Sequence, residues 1–124
     1  MKQNQSPFSV TSLASRNTTC VIALQGYLDA HTAPDLEDTI GASILGGCYR
    51  IVIDFSQLEY ISSAGLGVFM VFIEQVRANG GDIKLAAMRG NVRNVFDLLG
   101  FPVLFSIYDT VDSAIDAFPM VDPE

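Results

Sequence analysis

Residues Ile51–Gly67 read IVIDFSQLEYISSAGLG, and the interpretation of the whole chain turns on them. Ile51, Val52 and Ile53 form a short, β-branched, uninterrupted apolar run that ends in Asp54. Such a run marks a strand covered on both faces. Ser56 to Tyr60 is more polar and reads as a loop. Ile61, Ser62, Ser63 and Ala64 follow, then an apolar run from Leu66 to Val76 that is too long for a strand here. The serine pair therefore stands where a strand–loop–helix unit enters its helix. A serine hydroxyl accepts from the free N–H groups of a first turn, so Ser62 or Ser63 is expected to be the N-cap.

Gly65 and Gly67 fall in that same first turn. Each costs a helix roughly 0.5–1 kcal/mol relative to alanine. Bare backbone there has two explanations: tight packing of the helix on its own sheet, or close approach by a partner or an anion. Spacing alone leaves both open.

Working outward, the 124 residues are 49% hydrophobic, enough for one domain over 1–124 with a core from about residue 8 to 118. The formal net charge of −7 opposes a nucleic-acid partner, whose phosphates need basic surface, and opposes docking on anionic lipid. The five acids between Asp109 and Glu124 have no basic residue among them and read as a solvated face and tail. No stretch reaches the ~20 apolar residues of a membrane span. MKQNQSPFSV has no apolar signal core, so a cytoplasmic protein is expected. Cys20 and Cys48 have no metal-ligand spacing and are expected as reduced thiols. The first six and last four residues look loose.

Phe8 to Leu13 alternates weakly, as an edge strand does, and Thr19 to Leu28 is a stronger strand. Arg16-Asn17-Thr18 makes the turn of a hairpin between them. Thr32 is expected to cap a helix, with Asp35 at the capping-box position and Pro34 in the first turn. Ala33, Leu36, Ile40 and Ile44 then recur at helical spacing until Gly46-Gly47. After the strand Arg50–Asp54, the helix from Ser63 runs to about Asn79. Leu66, Phe69, Met70, Ile73 and Val76 form its core stripe. Val68 and Phe72 lie off the stripe, as a wider core face or as an exposed apolar strip. Ile83 to Ala87 is a strand, Val92 to Leu99 an amphipathic helix closed by Gly100, Val103 to Tyr108 a short last strand or extended segment, and Val111 to Phe118 a final helix.

This alternation implies an α/β fold: a mixed, mainly parallel sheet of four to five strands with about four helices. Sites in open α/β sheets gather at the carboxyl ends of strands. Asp29 and Asp54 both end predicted strands and Ser63 opens the helix beyond one of them, so all three are expected along one edge. Enzyme readings fare worse. His31 is the sole imidazole, and no Gly-x-Ser-x-Gly surrounds Ser63. A phospho-aspartate receiver centred on Asp54 would want an acidic pair after its first strand, and no acid lies between Met1 and Gln25. A metal held by Asp29 and Asp54 would be short of ligands. No enzyme, cofactor or metal site is expected.

Asp54 to Gly67 resembles the signature of the STAS domain, and its nearest likeness is to bacterial anti-sigma factor antagonists. Leu24-Gln25-Gly26-Tyr27-Leu28-Asp29-Ala30-His31-Thr32-Ala33 is similar to an earlier segment of that family, and Val92 to Gly100 to its later helix. The resemblance implies a STAS-type fold and a partner switch. The unphosphorylated protein binds an anti-sigma factor that is also a serine kinase, phosphorylation ends the binding, and a serine phosphatase restores it. Ser63 falls at the phosphorylated position, and Ser62 stands where the family has aspartate. The implied partner-binding set is Asp29, Ser62, Ser63, Ala64, Gly65 and Val68. ATP and Mg²⁺ would belong to the kinase. The same domain also occurs in anion transporters and in lipid-transport and stress-sensing complexes, which leaves a small-ligand or lipid-transport module as the alternative.

Overall fold

In the computed structural model, which describes residues 8–16 and 18–119, three strand–helix crossovers follow an opening hairpin. The elements are β1 (Ser9–Arg16), β2 (Thr19–Leu28), α1 (Ala33–Leu45), β3 (Arg50–Ile61), α2 (Ser63–Ala78), β4 (Asp82–Ala86), α3 (Gly90–Leu98), a 3₁₀ turn (Phe101–Val103), β5 (Ile107–Tyr108) and α4 (Val111–Asp116). The sheet order is β1-β2-β3-β4-β5; the first pair is antiparallel and the others are parallel. This is the mixed, mainly parallel five-stranded sheet with four helices that the sequence implied. Asn17 and the two chain ends, where a turn residue and loose termini were expected, lie outside the described residues.

β3 differs most from its reading. It does not stop at Asp54 but continues through the supposed loop to Ile61, paired with β2 along the way. The pairing shifts twice, between Ala23 and Gln25 and again between Gly26 and Tyr27, each time with one extra residue on β3. These are β-bulges, and each resets which side chains face inward. Phe55, Leu58 and Ile61 are therefore all buried although they stand three apart. Asp54 Oδ1 accepts from the Ser56 N–H at 2.9 Å and steadies the first bulge.

Strand order runs one way from β2 to β5, so crossovers of one hand place α1, α2 and α3 on a single face. The main core lies there, joining Leu36, Ile40, Leu66, Phe69, Val92 and Phe96 to the strands. Phe55 of β3 packs on Phe69 of α2 (6.0 Å between ring centroids) and edge-on to Phe96 of α3 (5.6 Å). Each such ring contributes about 1.5–3 kcal/mol through burial, and together they fix where α2 starts. α4 covers the opposite face over Val21, Val52 and Ala86. Phe118 beyond it lies under two cations, Arg50 at 5.2 Å and Lys84 at 4.8 Å.

Beyond Asp54, β3 has no β4 residue beside it. Side chains from the start of α3 take up carbonyls on that open edge: Asn91 Nδ2 donates to the Glu59 oxygen at 2.7 Å and Arg89 Nε to the Ser56 oxygen at 3.2 Å. At the other end of the strands, Cys20 and Cys48 are joined by a disulfide. This corrects the expectation of two free thiols: parallel pairing sets Cys20 beside Ile51, and the turn out of α1 brings Cys48 to the same place. Among the described residues, no helix is long and apolar enough to cross a membrane.

Candidate functional site

β2 ends at Leu28, and the next four residues form a turn held by their own polar groups. Asp29 Oδ1 accepts from the N–H of His31 at 2.9 Å and of Thr32 at 3.3 Å. The Thr32 hydroxyl accepts from the Asp29 N–H and donates to the Tyr27 carbonyl, both at 2.9 Å. Thr32 thus precedes α1 as expected, but its side chain makes no cap bond to the helix. The hydroxyl is turned back to the strand end instead, so the capping box with Asp35 does not form. His31 is exposed in this turn, and Asp29 is half-buried.

The end of β3 is tied to the same place. The Ser62 N–H donates to the Leu28 carbonyl at 2.9 Å, which sets the two strand ends, and the residues after them, side by side. Ser62 has extended backbone and its hydroxyl accepts from the Gly65 N–H at 3.4 Å. It is the N-cap, half-buried. Ser63 is the first residue of α2 and is exposed, as is Ala64; among the described residues nothing hydrogen-bonds the Ser63 hydroxyl. The serine pair is divided between two tasks. One hydroxyl closes the helix, and the other stands in solvent at its positive end.

The two glycines also divide. A Cβ on Gly65 would lie 2.6 Å from Leu28 Cγ and 3.1 Å from the Leu28 carbonyl oxygen, whereas one on Gly67 would meet nothing within 4 Å. Gly65 is explained by packing on β2, and Gly67 faces out with no internal reason to lack a side chain. Two residues of the expected partner-binding set lie inside the fold. Gly65 is buried against Leu28, and Val68 is 5% exposed within the main core. Phe72 is half-buried against that core. Met70, expected in the core stripe, is 44% exposed, and Val71 is 60% exposed.

Sequence reasoning singled out Gly67 without placing it in the partner-binding set, and it missed the outward placement of Met70 and Val71. The signal was the helical repeat counted from Ser63: positions four, seven and eight further on share its face. Apolar side chains at 70 and 71 hid it. It also missed Tyr27 and Tyr60, paired across β2 and β3 with ring centroids 5.6 Å apart. Asp54 is not part of this edge. It pairs with Ala23, and β2 runs on for roughly 20 Å before reaching Asp29, at the rise of a strand. Only Asp29, Ser62, Ser63 and Ala64 of the expected set converge here.

The STAS domain model matches residues 11–114. A Bordetella bronchiseptica protein, BtrV, provisionally assigned as an anti-sigma factor antagonist, is 34% identical over 103 residues, or 83% of this chain and 89% of its own. An anti-sigma factor antagonist from Mycobacterium paratuberculosis superposes with a TM-score of 0.78 at 31% identity, covering 89% of this chain and 94% of that one. The anti-sigma factor antagonist SpoIIAA superposes at 0.77 in its unphosphorylated form, with 25% identity over 93% of this chain and all of its own. Its phosphorylated form, from Bacillus, gives 0.67 at 26% identity over 87% and 97%. One family model thus spans most of the sequence, and relatives above 30% identity cover more than four fifths of it: the chain belongs to the STAS domain family.

Proposed function

We propose that this chain is an anti-sigma factor antagonist, working as a partner switch controlled at Ser63. The observation that supports this most is the division of the serine pair: Ser62 is committed to capping α2, and Ser63 presents an unengaged, exposed hydroxyl on the first turn. Unphosphorylated, the edge formed by Asp29, Ser62, Ser63 and Ala64 binds an anti-sigma factor that is also a serine kinase. Gly67, Met70 and Val71 extend the contact along the outward face of α2. A phosphate on Ser63 brings about −1.5 to −2 charges to that surface. The helix start tolerates an anion, but a partner covering it would have to desolvate the phosphate. The partner therefore leaves, and a serine phosphatase resets the switch. The chain itself needs no cofactor and catalyses nothing, since ATP and Mg²⁺ are the kinase's. The setting is the cytoplasm, where reducing conditions open the Cys20–Cys48 bond.

The test is incubation with purified candidate serine kinases and Mg-ATP, followed by phosphosite mapping and calorimetric titration of each kinase against both forms. Modification at Ser63 with loss of binding is the expected result. A chain that is never modified but binds lipid or nucleotide replaces this reading with a ligand module. The groove of about 420 Å³ lined by Gly41, Leu45 and Phe72, between α1 and α2, is where such a ligand would be sought.

A further inference from the structure

We propose that the sheet face around Tyr27 and Tyr60 is a second part of the contact surface, and that it receives an arginine of the anti-sigma factor. This rests on the function proposed above and names a determinant of partner choice that lies off α2.

α4 covers its face of the sheet over Val21, Val52 and Ala86 and goes no further. Toward the carboxyl ends of β2 and β3 the same face carries Gln25, Tyr27 and Tyr60, all exposed. Tyr27 is 40% and Tyr60 48% exposed, and their rings stand at 46° to one another. The strand register sets them opposite each other, and the second bulge of β3 is what brings Tyr60 into that register. The strand register thus holds the two rings side by side as one aromatic platform.

Its position is continuous with the proposed site. Tyr27 precedes Leu28 and Asp29, Tyr60 precedes Ile61 and Ser62, and the Thr32 hydroxyl rests on the Tyr27 carbonyl. A protein that covers Ser63 and Asp29 has only to extend past the strand ends to reach both rings. The occupant's chemistry follows from charge. The flanking residues Asp29 and Glu59 are acidic, and the chain carries a net −7. On this same sheet face the protein already satisfies aromatic rings with cations: Lys84 stands over Tyr108 and, with Arg50, over Phe118. Among the described residues, no cation stands over Tyr27 or Tyr60. A guanidinium suits the vacancy better than an ammonium, because it stacks flat on a ring while its N–H groups reach a carboxylate.

The experiment uses the full chain and a purified anti-sigma factor that binds it, chosen by calorimetry from those of the same genome. Tyr27→Phe keeps the ring and is expected to bind within about twofold of the unaltered chain. Tyr27→Leu and Tyr60→Leu keep apolar area but lose the π face, and are expected to bind roughly 5- to 30-fold more weakly with unchanged melting. Bound partner should also protect Tyr27 and Tyr60, but not Tyr49 and Tyr108, from nitration by tetranitromethane. Leucine variants that bind like the unaltered chain overturn the inference. So does a concentration-dependent dimer, in sedimentation, that the leucine variants abolish, since the face would then belong to a second copy. Binding that is lost on Ser63 phosphorylation yet indifferent to both leucines leaves the switch standing and removes this surface alone. No binding by the unaltered chain to any anti-sigma factor overturns the function itself, and this inference with it.

Discussion

Leu28 fills the space that a side chain at position 65 would need, with its Cγ 2.6 Å from where a Gly65 Cβ would stand. The contact fixes the depth at which α2 enters the sheet, and it makes the two glycines of the first turn unequal. Gly65→Ala must push a buried leucine and a strand carbonyl, and should lose ~1–3 kcal/mol. Gly67→Ala meets open space and removes an unfavourable helical glycine, so it should gain about 0.5–1 kcal/mol. Urea unfolding of the two variants is the measurement. If Gly67→Ala also weakens the anti-sigma complex, partner approach explains the bare backbone there.

Val68 and Val71 carry the same side chain less than one turn apart on α2, yet packing covers the first and leaves the second 60% exposed. Val68→Ala opens a cavity in the main core and should cost roughly 1–3 kcal/mol. Val71→Ala, at 60% exposure, should stay within about 0.5 kcal/mol in stability and act on binding instead. Thermal melts beside partner titration would separate them, and a large melting loss at Val71 would remove it from the contact.

Asp29 uses one carboxylate oxygen to close its turn. Asparagine retains an acceptor of the same shape, so Asp29→Asn should melt close to the parent while slowing phosphorylation at Ser63. Asp29→Ala should lose about 1 kcal/mol as well, because two N–H groups lose their acceptor. Equal phosphorylation rates in Asp29→Asn and the parent would confine the residue to the turn.

The serine pair offers the sharpest contrast. Ser62→Ala should lose ~0.5–2 kcal/mol of helix capping, and Ser62→Asp should keep most of it. Ser63→Ala should leave stability nearly unchanged, bind the partner and resist modification. The phosphorylated chain should melt within a few degrees of the unmodified one, since a helix start favours an anion by about 0.3–1 kcal/mol. Its complex should nevertheless weaken more than a hundredfold, which corresponds to about 3 kcal/mol. Equal affinities of the two forms in calorimetry would sink the switch.

The Cys20–Cys48 bond closes a loop with a sequence separation of 28. Its removal by reductant or by Cys48→Ser should lower stability by ~2–4 kcal/mol. The bond sits at the start of β2 and the proposed site just past its end, so partner affinity should not follow the redox state. Calorimetry with and without reductant checks this, and a severalfold change in affinity would show the two ends to be coupled.

Most of the fold was legible because α1 to α3 repeat their apolar residues at helical spacing and Gly46-Gly47 and Asn79-Gly80 stop two of them. The second half of β3 was not. Its two bulges put Phe55, Leu58 and Ile61 three apart, and a rule based on alternation sees a loop there. At the site, the Asp29 and Ser63 neighbourhood could be placed from strand ends alone. The sides of α2 could not, because Val68, Met70 and Val71 are all apolar and only packing decides which are covered. The disulfide was equally hidden, since pairing depends on a strand register that residue spacing does not state. The Thr32 cap failed for a local reason: beside the strand end its hydroxyl accepts from the Asp29 N–H instead of from an N–H of the helix.

The far half of β3 bears on solubility as well as on recognition. From Phe55 to Ile61 it is a strand with no neighbour on one side, and such an edge would otherwise offer its carbonyls to any extended chain that met it. Asn91 and Arg89 occupy two of those carbonyls with side-chain donors. The start of α3 thus stoppers the edge against strand addition without giving up the exposed strand ends that a partner is proposed to reach. A switch that must stay monodisperse while waiting for its partner needs both properties at once, and here they lie on two sides of one strand.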